Sequence, residues 1–117
     1  MPAARRGNQG IWIIDAEGKT VYANARMAEI LGLTAPELTG RHSSDFVFPE
    51  DAAEAARHFE SKKHGNADPY EFRLRRKDGT PAWVRIQGTP MQDDAGEFAG
   101  IVGTFTPLER ASAGDKS

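Results

Sequence analysis

Apolar and polar residues alternate most regularly between Pro69 and Phe105. Tyr70, Phe72 and Leu74 stand against Glu71, Arg73 and Arg75, the period of two of a strand with one face on a core and the other in water. Lys77-Asp78-Gly79 breaks the pattern with residues that tolerate the positive φ of a tight reversal. Ala82, Val84 and Ile86 then resume it against Trp83, Arg85 and Gln87, and after a second turn at Asp93-Asp94-Ala95-Gly96 comes the apolar run Ile101 to Phe105. Three such strands in a meander are enough to fold on, provided the rest of the chain covers their apolar face.

Upstream, Ile11 to Ile14 is a continuous apolar run, the pattern of a central strand, and Thr20 to Ala23 returns beside it as a hairpin partner. Asn24 stands at the head of a helix whose apolar side is Met27, Ala28, Ile30 and Leu31, and Gly32 ends it. Thr34-Ala35-Pro36-Glu37 reads as a capping box for a short turn through Leu38. Ser43 to Phe48 is too apolar for a free loop and is expected to plug one end of the core as a helical turn. Pro49 opens the longest helix, with Glu50, Asp51 and Glu54 near its start, Lys62, Lys63 and His64 near its end, and Gly65 as terminator. Its buriable side, Ala52, Ala55, Ala56 and Phe59, is small enough to pack close to a sheet or to leave room beneath. Thr106-Pro107-Leu108-Glu109 is another capping box and predicts an outgoing helix from Thr106.

At 117 residues the chain has the length of one domain. Residues 1–9 are expected to be a tail or a truncated N-terminal helix, 10–106 the folded unit, and 107–117 the start of a C-terminal helix with its tail. The apolar fraction of 38% and charged fraction of 27% are those of a globular protein, and 15 basic against 17 acidic residues leave a net charge of -2 without a field for nucleic acid or anionic membrane. Arg73, Arg75, Arg76 and Lys77 form the nearest thing to a basic patch and are expected to be a solvated strand face and turn. The absence of cysteine excludes disulfides, thiol nucleophiles and any cysteine-linked chromophore. No apolar run approaches the ~18 residues of a membrane span, and no apolar signal core follows Arg5-Arg6, so a cytoplasmic setting without direct membrane contact is the expectation.

The ordered set Asp15-x-x-Gly18, Asn24, Gly32, Glu37-Leu38-x-Gly40, Pro49-Glu50-Asp51 and Glu71-Phe72-Arg73-x-x-Arg76-Lys77-Asp78-Gly79-x-x-x-Trp83-Val84 resembles a PAS domain over residues 10 to 110. It is most similar to the subgroup found in bacterial sensor kinases and cyclic-dinucleotide enzymes. The resemblance implies an α+β fold, a five-stranded antiparallel sheet in the order 2-1-5-4-3 with helices on one face. It also implies a non-enzymatic sensory module of a signal transduction protein, a homodimer with output through its C-terminal helix to an effector domain of the same chain or a signalling partner, such as a histidine kinase or cyclic-dinucleotide enzyme. Thr104, Thr106, Pro107 and Glu109 are the expected signal exit, with one departure: the subgroup commonly closes its last strand with Asp-Ile-Thr, where this chain has Thr104-Phe105-Thr106, and Thr104 cannot make the ion pairs an aspartate could.

Phe46, Phe48, Ala56, Phe59, Tyr70, Phe72, Val84 and Ile86 are the candidate walls of a small-molecule pocket, the bland alternative being that they simply fill the core. His58, on the long helix, is the candidate haem ligand, although helical spacing turns it toward Glu54 and away from the middle of the alanine stripe. Gln87 could meet a flavin only from the pocket side, and its parity with Trp83 and Arg85 sends it to the other face. A resident cofactor is therefore not expected, with a haem or flavin sensor, or a purely structural dimerisation unit, as the alternatives. Ser43 and Ser44 follow His42, but without a glycine-framed nucleophile turn, so no catalysis is expected. Trp83, opposite in parity to the core residues of its strand, is the candidate anchor for a dimer interface or a flanking helix, the alternative being a local cation-π stack with Arg75 or Arg85.

Overall fold

The N-terminal apolar run becomes the second strand of the sheet, with a neighbour on either side. A computed structural model describes residues 9–108 of the chain. Five strands, β1 (Gly10–Asp15), β2 (Thr20–Ala23), β3 (Tyr70–Arg75), β4 (Pro81–Gln92) and β5 (Phe98–Pro107), form one antiparallel sheet in the order β2-β1-β5-β4-β3. Between β2 and β3 lie the helices α1 (Ala25–Leu31), α2 (Ala35–Leu38) and α3 (Ala52–Lys63), with 3-10 turns at Ser43–Phe46 and Pro49–Asp51. This is the α+β arrangement and strand order that the sequence resemblance implies.

Directly opposed residues share a face, so the register defines both sides of the sheet. Trp12 lies opposite Ala23 and Gly103, Gly103 opposite Gly88, and Phe105 opposite Ile86, which in turn faces Tyr70; these look toward the helices. Ile13 lies opposite Tyr22 and Val102, and Ile11 opposite Thr104; these look outward.

The caps expected from sequence form. The Asn24 side-chain oxygen accepts from the backbone N–H of Met27 and of Ile11, both at 2.9 Å, so one amide starts α1 and fastens it to β1. The Thr34–Glu37 capping box is complete. Met27 and Leu31 of α1, Leu38 of α2 and Val84 of β4 are the most deeply buried large side chains, so the first two helices make the tightly packed part of the core.

Lys77 is an exposed turn residue as expected, but Arg73, Arg75 and Arg76 are half-buried and clamp other segments rather than forming a solvated face. Arg73 donates to Asp51 (2.6 Å) and Glu50 (3.2 Å) with its guanidinium 4.5 Å over the Phe48 ring, and Arg75 donates to the Asp45 carbonyl at 3.1 Å. Arg76 reaches the carbonyls of Ile30 and Pro81, and Lys77 the carboxylate of Glu37. Because β3 is an edge strand, its outward arginines can fold round the edge and hold the segment 43–51 against the sheet.

The outgoing segment also starts later than the capping box suggests. Thr106 and Pro107 are still strand, paired with Arg85 and Val84, and the Leu108 N–H donates to the Trp83 carbonyl at 2.9 Å. Successive N–H groups point to opposite sides, and Leu108 donates to β4, so position 107 turns its missing donor away from β4. Proline's missing donor therefore costs the β4–β5 ladder no bond. Glu109 and the helix expected after it lie outside the described residues.

Candidate functional site

The helix α3 does not close on the sheet. Beneath it is a cavity of about 560 Å³, within the range of small-molecule sites. Its floor contains Gly88 and Gly103, paired across β4 and β5, which contribute no side chain at the centre of the inner face. Trp12, Ile14, Ile86, Ile101 and Phe105 surround them, and Ala52, Ala55, Ala56 and Phe59 of α3 form the roof. The short alanine side chains explain the gap: they cannot span the distance that larger residues would have filled. Polar groups gather in two places, Glu17, His42, Ser43 and Ser44 from the hairpin and first 3-10 turn, and His58, Lys62 and Tyr70 from α3 and β3.

In the second group the His58 ring stacks on Tyr70, 3.6 Å between centroids and 7° between planes, and its Nε2 lies 3.6 Å from the Glu54 carboxylate. Burial holds the imidazole pKa below its ordinary value, more than Glu54 raises it, with Lys62 and Arg57 adding to the lowering. Burial, helped by Glu54, pushes the Tyr70 phenol up to about 12, so it is a neutral donor at any physiological pH. Lys62 is only 3% exposed, and its Nζ donates to the Asp68 carbonyl at 2.9 Å. Desolvation lowers its pKa against the attraction of Asp68. In the first group His42 Nδ1 accepts the Ser44 N–H at 3.1 Å and faces its hydroxyl at 2.8 Å, while Nε2 meets the Glu17 carbonyl. That network caps the turn and ties it to the β1–β2 hairpin.

Of the eight residues expected to wall a pocket, Ala56, Phe59, Tyr70, Phe72 and Ile86 do line the cavity. Phe46, Phe48 and Val84 do not. Phe46 packs edge-on against Trp12 at 5.7 Å, Phe48 lies under Arg73, and Val84 is sealed in the core beside α1 and α2. Trp83 stands on the outward face, half-buried. Thr104 is outward as well, and so is Thr106, whose hydroxyl accepts from Gln9 at 3.3 Å.

Sequence reasoning missed Lys62, Gly88 and Gly103, although each left a signal. At about 100° per residue, seven positions bring Lys62 back to within about 20° of Ala55. The same counting by twos that puts Val84 and Ile86 inside also puts Gly88 there, and Ile101 and Phe105 bracket Gly103.

Two residues considered from the sequence for cofactors, Gln87 and His58, are already engaged within the protein. The lining contains no Asn or Gln to meet a flavin edge, and Gln87 points outward and bonds to the Ala67 carbonyl. Ligating haem would require His58 to leave both its stack on Tyr70 and its place beside Glu54. Among the described residues no group of three His, Asp or Glu is placed to hold a metal ion, and no helix is long and apolar enough to cross a membrane.

A family model described as the PAS fold matches residues 8–108. Phototropin-2 of Oryza sativa subsp. japonica is 30% identical over 95 residues, which cover 80% of this chain and 10% of that protein. The C4-dicarboxylate transport sensor protein DctS of Rhodobacter capsulatus is 27% identical over 100 residues, covering 83% of this chain and 15% of the sensor. The chain thus spans a small part of the length of either relative. The crystal structure of a PAS domain from Colwellia psychrerythraea superposes with a TM-score of 0.80 at 17% identity, covering 93% of this chain and 96% of that one. Strand order, helical layer and sequence match agree: the chain belongs to the PAS family of sensory domains.

Proposed function

We propose that the chain is the sensory module of a larger cytoplasmic signalling protein. A small molecule taken up under α3 alters β5, and β5 passes the change beyond Pro107 to an effector domain of the same protein or to a signalling partner. The single observation behind this reading is that Ile101, Gly103 and Phe105, alternate residues of the strand that leads out of the domain, are also floor of the cavity. A ligand resting there lies two residues from the end of β5. On this reading the chain binds and transmits, and any histidine kinase or cyclic-dinucleotide chemistry belongs to the rest of the protein.

The outward face is assigned to a second copy. Tyr22 is 48% exposed there, Ile11, Ile13 and Val102 are half-buried beside it, and Trp83 is half-buried farther along the same face, on β4. Native mass spectrometry of the chain purified from its own host tests the ligand assignment. A co-purified small molecule, released on denaturation, is the expected result; the bare chain mass under every gentle condition would overturn it.

A further inference from the structure

An ammonium group is costly to bury unless it is paired, and Lys62 is the single charged side chain among the described residues that is fully buried. Among those residues it has one hydrogen bond, from Nζ to the Asp68 carbonyl, and a place 5.5 Å over the Tyr70 ring, but no carboxylate within ion-pair reach. An ammonium has three donors, so this one is under-used. Its stem is seated by Gly88: a Cβ there would come within 3.2 Å of Lys62 Cε. The glycine that hollows the floor is thus the one that lets the lysine lie flat in the wall. Tyr70 lines the same end and adds a neutral hydroxyl donor. Between this end and the polar group of Glu17, His42, Ser43 and Ser44, the floor around Gly88 and Gly103 and the roof of Ala52, Ala55, Ala56 and Phe59 are hydrocarbon, which suits an apolar body.

We propose that the cavity binds a monocarboxylate with an aromatic or aliphatic body, the carboxylate paired with Lys62 Nζ and the body lying on Gly88 and Gly103 beneath Ala56 and Phe59. This rests on the reading of the cavity as a ligand site and adds the class of ligand. Succinate, by contrast, has no apolar body to cover Ile86, Ile101 and Phe105 of the floor.

Calorimetric titration of the whole chain with 3-phenylpropionate, 3-phenylpropionamide and succinate tests it. Because charge-assisted hydrogen bonds are about twice as strong as neutral ones, the monocarboxylate is expected to bind at least about tenfold more tightly than the amide. Succinate is expected to bind more weakly than 3-phenylpropionate. Lys62→Met, which keeps the length of the side chain and removes the charge, should bring acid and amide to equal affinity, and Lys62→Arg should retain the preference. Amide binding as tight as the acid in the native chain would overturn the charge assignment while leaving the cavity a ligand site. Binding of none of the three would overturn both, and the native comparison decides the matter even if a variant fails to fold.

Discussion

Ala56→Phe tests whether the space under α3 is truly open, because the sign of its effect depends on the answer. Ala56 lines the cavity from the roof and remains accessible although it is on the helix face turned to the sheet. A phenyl group placed there has an apolar floor in Trp12, Ile86 and Phe105 to cover. Burying a Phe side chain contributes about 1.5–3 kcal/mol. Against that stand a helix-propensity loss of up to ~0.7 kcal/mol and a rotamer-ordering cost of about 0.5–1 kcal/mol. The net expectation is a stabilisation of about 1 kcal/mol, a rise in Tm of roughly 4–8 °C for a domain near 100 residues. Urea denaturation and calorimetry on the native chain and the variant measure it. In a filled core the same substitution overpacks and destabilises by about 1–3 kcal/mol. A fall in Tm would therefore refute the open cavity, whereas a rise accompanied by loss of 3-phenylpropionate binding supports both the space and its use.

Stability is expected to decline on mild acidification because of His58. Its folded pKa lies below the unfolded value of about 6.5, so between the two the unfolded chain binds more protons and stability falls as pH drops. Glu54 opposes the effect, while Lys62 and Arg57 reinforce it. Urea midpoints at pH 7.5 and 5.5 should show the decline, and His58→Phe, which keeps a ring on Tyr70, should flatten it; equal slopes in the two proteins would contradict the assignment. Trp83→Ala should weaken self-association several-fold without changing the fold, and unaltered sedimentation at micromolar concentration would count against the outward face as a dimer surface.

The fold could be read from local patterns because local chemistry decides most of it. Asn24, Thr34, Glu37 and Gly32 each do at a helix end what their residue type predicts, and the Asp-Gly turns separate the strands where alternation stops. The end of β5 was harder. Thr106-Pro107 reads as a helix start in isolation, and it is the pairing with β4 beside it that keeps those residues extended. The cavity was half legible: parity found Ile86 and Phe72, but Phe46 and Val84 were assigned to it because apolar residues that wall a space and those that fill one look alike in sequence. Lys62 was hidden by its position near a helix C-terminus, where a lysine is explained by the dipole alone. Its burial depends on Gly88, a residue on a strand 26 positions later.

The account turns on a ligand in the hollow reaching the strand that leaves the domain. Backbone amide NMR during titration with 3-phenylpropionate observes both ends of that path. Shifts at Gly88, Gly103 and Phe105 that continue to Leu108 are the predicted result. Saturable shifts confined to the outward residues Ile13, Trp83 and Val102, with Gly88 and Gly103 unmoved, would contradict it.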